Sequence, residues 1–182
     1  LAALALPKVL EAAERLLHRV DVVFFFAGAG AERAKVEQLV RDRSLHNVRL
    51  IPRQPKERMP ALWSVCDLCI VPLRDTPVFA TVIPSKIFES MGMGVPILMS
   101  LPEGEAVRIV RRTETGVCVR PEDPVAMAEA IADLADAPAH LARLRAQAHA
   151  AAPQFSRETL AKAMIDVLEG VVGVPKQATE EQ

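Results

Sequence analysis

The sequence predicts an α/β protein with a doubly wound parallel sheet. Short apolar runs such as "DVVFFFAG" and "VPILMS" alternate with stretches of helical periodicity five times along the chain, a pattern typical of strands joined by crossover helices. The runs are also continuously apolar, as expected of strands that are buried on both faces. The chain has 182 residues, of which 51% are hydrophobic, and this is enough for one domain with a sizeable core.

The predicted elements follow one another in a regular order. A helix from about Pro7 precedes the strand "DVVFFFAG", and the helix "AERAKVEQLVRDRSL" precedes the strand "NVRLIP". A short helix "PKERMPALWSVC" leads into the strand "DLCIVPL", and a helix from Ser85 leads into "VPILMS". One further helix precedes the last strand, "TGVCVRP", and three helical stretches follow it. We expect one domain over residues 1–170 and a flexible polar tail over residues 171–182.

Composition excludes several classes of function. Lysine and arginine number 22 against 23 aspartate and glutamate, so the chain lacks the basic excess of a nucleic-acid-binding protein. No apolar run approaches the roughly 20 residues of a membrane-spanning helix, and no signal peptide is visible. Three cysteines, an odd number, favour a reducing compartment. Cys66 and Cys69 have no second Cys or His pair nearby, so we predict no metal site. These features together predict a cytoplasmic protein without a nucleic-acid partner.

The stretch "FFFAGAGAER" places Gly28 and Gly30 between a strand and a helix. A dinucleotide-binding fingerprint fails here because its third glycine position holds Arg33. The two glycines still allow a ligand to approach the backbone closely, and a tight strand-to-helix turn explains them equally well.

The stretch "VIPSKIFE" combines a helix start with a hydroxyl, a cation and an acid. Ser85 follows Pro84 and is expected to be the N-cap of a helix that begins at Lys86. The first amides, at residues 85–87, have no partner within the helix and attract anions such as phosphate. Glu89 follows Ser85 by four residues, about 6 Å along the axis, where its carboxylate could accept hydrogen bonds from two ribose hydroxyls. An ordinary capped helix that contains a glutamate is the alternative.

Several motifs, taken together and in order, resemble one family. They are "FFFAGAGAERAKVEQLV", "NVRLIPRQPKERMPALWSVCDLCIVPL", "FATVIPSKIFESMGMGVPIL", "GEAVRIVRRTETGVCVRPEDPVAMAEAI" and "FSRETLA". In this combination the chain resembles the glycosyltransferases of family 4, also called group 1, and specifically their C-terminal, nucleotide-sugar-binding domain. That domain is the Rossmann-like half of a GT-B fold. The form "VIPSKIFE" is most similar to bacterial enzymes of polysaccharide and O-antigen assembly.

The resemblance implies transfer of a sugar, of hexosyl or N-acetylhexosaminyl type, from a nucleotide-diphosphate donor. The donor is expected to be UDP-linked, the anomeric configuration to be retained, and neither a metal nor a cofactor to be needed. By the same resemblance Glu89 binds the ribose, while Pro84, Ser85 and Lys86 meet the diphosphate and the donor sugar. Lys86 is the expected catalytic residue, because its charge, together with the helix amides, would stabilise the leaving diphosphate.

The resemblance also implies a position for the nucleobase. The sequence departs from the family pattern at two points. Ile51 and Arg53 fall where the family places the nucleobase beside a strand end. Thr81 stands where the family pattern has the first of two glutamates. The chain also begins in what should be the helix after the first strand, so we expect the sheet to lack that central strand and the acceptor-binding N-terminal domain to be missing. The chain is then the donor-binding half of a longer enzyme, inactive in transfer alone.

The resemblance further implies an acceptor and a location. A lipid-linked or saccharide acceptor would bind through the missing domain, in polysaccharide or lipopolysaccharide synthesis, with peripheral association of the full enzyme at the inner face of the bacterial membrane. Two alternatives remain. A nucleotide-sugar 2-epimerase is disfavoured because the stretch from Val78 to Ser100 contains one acid, Glu89, and no histidine. A non-catalytic nucleotide-sugar-binding module is favoured by Thr81 and by the missing segments.

Overall fold

Residues 4–172 are described by a computed structural model, and their elements follow the predicted order. The strands are β1 (Phe24–Ala27), β2 (Val48–Ile51), β3 (Cys69–Pro72), β4 (Ile97–Ser100) and β5 (Gly116–Val119). The helices are α1 (Leu6–Arg15), α2 (Arg33–Asp42), α3 (Met59–Trp63), α4 (Lys86–Gly92), α5 (Glu105–Arg112), α6 (Pro124–Asp136), α7 (Pro138–Ala151) and α8 (Arg157–Val172). The predicted tail, residues 171–182, lies outside the described residues apart from its first two, which end α8. In the described part of the chain, no helix has the length and apolar character needed to cross a membrane.

The strands form two parallel sheets instead of one. β1 pairs with β2, with Phe24 opposite Val48. β4 lies between β3 and β5, and its first residue, Ile97, is opposite Cys69 on one side and Gly116 on the other. The predicted α/β class and the parallel pairing are confirmed, and the sheet is divided between β1 and β3.

Helices cover both faces of β4, whose buried side chains belong to both apolar clusters of the core. Ile97 and Met99 belong to one buried cluster with side chains of α4 and α5. Leu98 points to the other face and belongs to a cluster with side chains of α1, α2 and α6. Since successive side chains of a strand alternate between faces, this arrangement confirms the doubly wound architecture.

The prediction that the first apolar run is buried on both faces is wrong for β1. Phe24 is 6% exposed, whereas Phe25, on the opposite face, is 45% exposed. The reason is that Phe25 lines an open cleft between β1 and β3, which leaves its side chain partly exposed.

Candidate functional site

The start of α4 has the position that the sequence predicts but a different geometry. The helix begins at Lys86, and Ser85 stands one residue before it. The backbone of Ser85 is itself helical, with φ −58° and ψ −24°, and its side chain caps no amide. Its hydroxyl instead donates to Oε1 of Glu89 over 3.0 Å, because residues four apart lie on the same helix face. The prediction of a side-chain N-cap at Ser85 is therefore wrong.

Two amides at this helix start are available to a ligand. The N–H of Ile87 donates to the carbonyl of Pro84 over 3.2 Å, so the expectation that all three amides at residues 85–87 are unpaired is wrong for the third. This bond closes the first turn one residue earlier than in a helix whose N-cap is Ser85. Within residues 4–172, the amides of Ser85 and Lys86 donate to no protein acceptor. An anion at this position would meet these two amides and the ammonium group of Lys86.

Ser85, Lys86 and Glu89 form a surface cluster, which we call the α4 cluster. Nζ of Lys86 donates to Oε2 of Glu89 over 2.7 Å, so both carboxylate oxygens of Glu89 have an internal partner. The side chains of Lys86 and Glu89 are 53% and 42% exposed. Partial burial of Glu89 favours its neutral form, but the hydrogen bonds from Lys86 and Ser85 outweigh it and hold the pKa of Glu89 below its usual value. Glu89 thus faces solvent as a carboxylate.

Arg33 joins the carboxyl ends of β1 and β2. Its Nη1 donates to the carbonyl of Gly28 over 2.6 Å and to the carbonyl of Ile51 over 3.1 Å, and its Nε donates to Glu37. Gly28 has φ +140°, which L side chains rarely adopt, and a side chain at Gly30 would meet no atom within 4 Å. A Cβ at Gly28 would likewise meet no atom within 4 Å, so there is open space beside the backbone of both glycines.

Sequence reasoning missed Arg33. In the sequence its position only breaks the dinucleotide fingerprint, whereas in the structure its guanidinium donates to the carbonyls at both strand ends. A cation placed just after a strand-to-helix turn is a signal that could have identified it.

The two remaining predicted residues, Arg53 and Thr81, are exposed at the surface. Arg53 follows β2, and its side chain makes no hydrogen bond or ion pair within the described part of the chain. Thr81 ends a 3-10 helix, Pro77–Thr81, and its hydroxyl donates to the carbonyl of Val78 over 2.8 Å. That hydroxyl is engaged within its own turn.

A cleft of about 770 Å³ lies between the two sheets. It is lined by β1, β3, α3 and the predicted site residues Pro84 and Lys86. The structure thus brings Ser85, Lys86 and Glu89 together, and Lys86 lines this cleft. The Gly28 and Ile51 carbonyls meet at Arg33, beyond the carboxyl ends of β1 and β2. Among residues 4–172, no group of three or more His, Cys, Asp or Glu side chains is placed to hold a metal ion.

The profile of one protein family, described as glycosyl transferases group 1, matches residues 4–137. The match covers more than half of the chain, and the chain therefore belongs to this family. The resemblance inferred from the motifs is confirmed.

Curated relatives of the chain are bacterial. WcaI of Escherichia coli strain K12, named as a glycosyl transferase of colanic acid biosynthesis, is 28% identical over 137 residues, which are 74% of this chain and 33% of WcaI. WbjE of Pseudomonas aeruginosa, named as a glycosyltransferase, is 29% identical over 134 residues, which are 70% of this chain and 33% of WbjE. The chain thus spans about a third of the length of these relatives.

Solved glycosyltransferase structures share the fold. A glycosyltransferase from Rickettsia africae has a TM-score of 0.79 at 17% identity, covering 96% of this chain and 46% of that one. HepE of Anabaena, solved in complex with UDP, has a TM-score of 0.73 at 19% identity, covering 91% of this chain and 45% of that one. These similarities confirm that the described residues adopt the Rossmann-like half of a GT-B fold.

Proposed function

We propose that the chain is the donor-binding part of a retaining glycosyltransferase that uses a nucleotide-diphosphate sugar. The observation that carries the proposal is the α4 cluster, in which Ser85, Lys86 and Glu89 are exposed together at a helix start in a chain of this family. The complexes of HepE with UDP and with UDP-glucose support the choice of a uridine nucleotide as the donor's carrier.

Each residue of the cluster has a role that its position supports. Lys86 and the free amides of Ser85 and Lys86 would hold the diphosphate, since all three donors lie at the start of α4. Glu89, ionised and one turn further on, would accept hydrogen bonds from the ribose hydroxyls. Pro84, which lines the cleft beside Lys86, would contact the donor sugar.

The proposed chemistry is electrostatic. As the bond between the anomeric carbon and the diphosphate breaks, negative charge grows on the leaving diphosphate, and Lys86 stabilises it without any proton transfer. Gly28, Gly30, Ile51 and Arg53 would border the nucleobase, where the open glycine backbone leaves room for a planar ring.

The acceptor is proposed to be a lipid-linked or saccharide molecule of cell-surface polysaccharide synthesis, at the inner face of the bacterial membrane. The name of WcaI, which refers to colanic acid biosynthesis, supports this class. Transfer would need a further domain, because this chain spans about a third of its curated relatives.

Titration calorimetry with UDP tests donor binding. Glu89→Gln keeps the shape of the side chain but replaces charge-assisted acceptors with weaker ones, so we expect a loss of about 1–2 kcal/mol, or roughly 5- to 30-fold in affinity. Glu11→Gln is the matched control, because Glu11 also pairs with a lysine three residues away, Lys8, over 2.9 Å. Equal affinities for the chain and Glu89→Gln would overturn the assignment of Glu89.

A non-catalytic nucleotide-sugar-binding module is the second candidate, and the observation that favours it is Thr81, whose hydroxyl is engaged in its own turn. An activity assay in two arms separates the enzyme from the binding module. One arm contains the chain alone and the other contains the chain joined to the proposed acceptor-binding domain, each with UDP-glucose and a saccharide acceptor. Transfer only in the joined arm supports the enzyme, and binding without transfer in both arms supports the module.

A further inference from the structure

Arg33 bonds three backbone carbonyls at the carboxyl ends of β1 and β2. Its Nη1 donates to the carbonyls of Gly28 and Ile51, and its backbone N–H donates to the carbonyl of Gly30 over 3.0 Å. The carbonyl of Ile51 also accepts the N–H of Gly28 over 3.2 Å, so both of its lone pairs have a donor. We call the surface formed by these residues and Arg53 the β1–β2 end. The three carbonyls bonded by Arg33 are engaged there before any ligand arrives.

Several donors of the β1–β2 end remain without an acceptor. Nη2 of Arg33 carries two N–H groups, and within residues 4–172 it donates to no protein atom. The backbone N–H groups of Gly30 and Arg53 likewise donate to no acceptor in this part of the chain. The first carbonyl after β2, that of Pro52, accepts from Gln54 over 3.0 Å. The β1–β2 end therefore offers mainly hydrogen-bond donors to a ligand.

The guanidinium of Arg33 is held in place by its bonds. Nε donates to Glu37 over 2.8 Å and Nη1 has two carbonyl acceptors, so the planar group is bonded on two sides. The side chain of Arg33 is 32% exposed, and there is open space beside Gly28 and Gly30. A donor that is already oriented loses little conformational entropy when a ligand binds. Since the carboxylate of Glu37 partly offsets the charge of Arg33, Nη2 suits a neutral acceptor such as a carbonyl oxygen.

The nucleobase is proposed to lie at the β1–β2 end, and the inference drawn here rests on that part of the proposed function. Uracil and cytosine have nearly the same size and differ at ring position 4 and at the adjacent nitrogen. Position 4 carries a carbonyl oxygen in uracil and an amino group in cytosine. An amino group that met the N–H groups of Nη2 would leave donors on both sides unpaired, which is costly away from water. The free donors therefore favour uracil.

We propose that Arg33 determines the base specificity of the donor site by donating from Nη2 to the carbonyl oxygen at position 4 of uracil. Arg33 has a second effect on the same choice. Because it bonds the carbonyls of Gly28 and Ile51, it withdraws acceptors that the amino group of cytosine would need. The site accordingly selects donors carried by uridine diphosphate over donors carried by cytidine diphosphate.

Titration calorimetry with UDP and CDP tests the proposal, because the two ligands share the ribose and the diphosphate. We expect the chain to bind UDP at least roughly tenfold more tightly than CDP. In Arg33→Met this preference is expected to fall to within roughly threefold, because the free donors are lost and the bonded carbonyls become available. A loss of stability alone would weaken both ligands equally and leave the ratio of their affinities unchanged.

Arg43→Met is the matched control, since Arg43 follows the last residue of the same helix and forms an exposed ion pair with Glu14 over 2.9 Å. This variant is expected to keep the full preference for UDP. Arg33→Gln, whose amide can either donate or accept, is expected to lose the preference as well, and it replaces the methionine variant if that variant does not fold.

Equal affinities for UDP and CDP in the unsubstituted chain would overturn the assignment of Arg33 and leave donor binding intact. A preference for UDP that persists in the Arg33 variants would overturn it too, and equal losses for both ligands would assign Arg33 to the diphosphate or to the fold instead. If the unsubstituted chain bound neither ligand, the proposed function itself would fail, and the role of Arg33 with it.

Discussion

Replacing glycine with alanine is expected to lower the stability of the protein at Gly104 and to raise it at Gly92. Gly104 precedes α5 with φ −178°, an extended conformation that any residue adopts, so backbone strain plays no part. A Cβ at this position would overlap the carbonyl oxygen of Ala80, and it would lie 2.9 Å from the carbonyl carbon and 3.2 Å from the Cα of Ala80. These are backbone atoms of a 3-10 helix, Pro77–Thr81, and they cannot rotate away as a side chain can.

The expected cost of Gly104→Ala is that of an overpacked contact, about 1–3 kcal/mol. For a chain of this size each kcal/mol lowers Tm by about 2–4 °C, so Tm is expected to fall by roughly 2–12 °C. The displaced 3-10 helix leads directly to Pro84 and Lys86, so UDP affinity should fall as well.

Gly92→Ala is the matched control. Gly92 is the last residue of α4, and a Cβ there would meet no atom within 4 Å. Replacing a helical glycine at an open position restricts the unfolded chain and should stabilise the protein by about 0.4–1 kcal/mol. Urea and thermal unfolding, followed by circular dichroism, measure both variants. A stability for Gly104→Ala equal to that of the unsubstituted chain, or a loss of the same size in Gly92→Ala, would refute the contact argument.

Three further predictions concern charged groups. Lys86→Gln should weaken UDP binding by roughly 5- to 30-fold without weakening uridine binding in calorimetry, and a parallel loss for uridine would contradict a role at the diphosphate. The lowered pKa of Glu89 keeps its carboxylate ionised as pH falls. The ratio of UDP affinities between the chain and Glu89→Gln should therefore stay constant from neutral pH to about 5 and shrink only below the ordinary glutamate pKa of about 4.3. A ratio that is already reduced at pH 6 would be inconsistent with the lowered pKa. Arg33→Met should lower the free energy of unfolding in urea by about 1–3 kcal/mol, because two carbonyls lose a charged donor. Arg43→Met, which removes an exposed ion pair with Glu14, is the control and should cost under about 1 kcal/mol. Equal losses of stability would show that the two carbonyl bonds of Arg33 add nothing.

The order of strands and helices could be predicted from the sequence because each element has its own local spacing of apolar residues. The run "VPILMS" is apolar throughout, and the corresponding strand β4 is buried on both faces. The same reasoning failed at Phe25, because burial of a strand depends on its neighbours in the sheet and β1 has a neighbour on one side only in the described chain.

The candidate site could be predicted in position but not in contacts. The helix start at Lys86 and the surface position of Glu89 follow from helical spacing. The bond from Ser85 to Glu89 was not predicted, because a serine before a helix can bond either an amide or a side chain one turn on, and the backbone dihedral of Ser85 decides between them. The contact of Gly104 with Ala80 joins segments far apart in sequence, which no local pattern encodes.

The mutual engagement of Lys86 and Glu89 has a consequence for how the proposed site discriminates. Each group partly neutralises the other while no ligand is present, so a phosphate alone would compete with the carboxylate of Glu89 for the ammonium group of Lys86. A nucleoside alone must likewise compete with an ammonium group for the carboxylate oxygens. A molecule that carries an anion and a diol at the right separation replaces both interactions at once. In the proposed site, a molecule that carries both chemical features would therefore bind more tightly than a molecule that carries one of them.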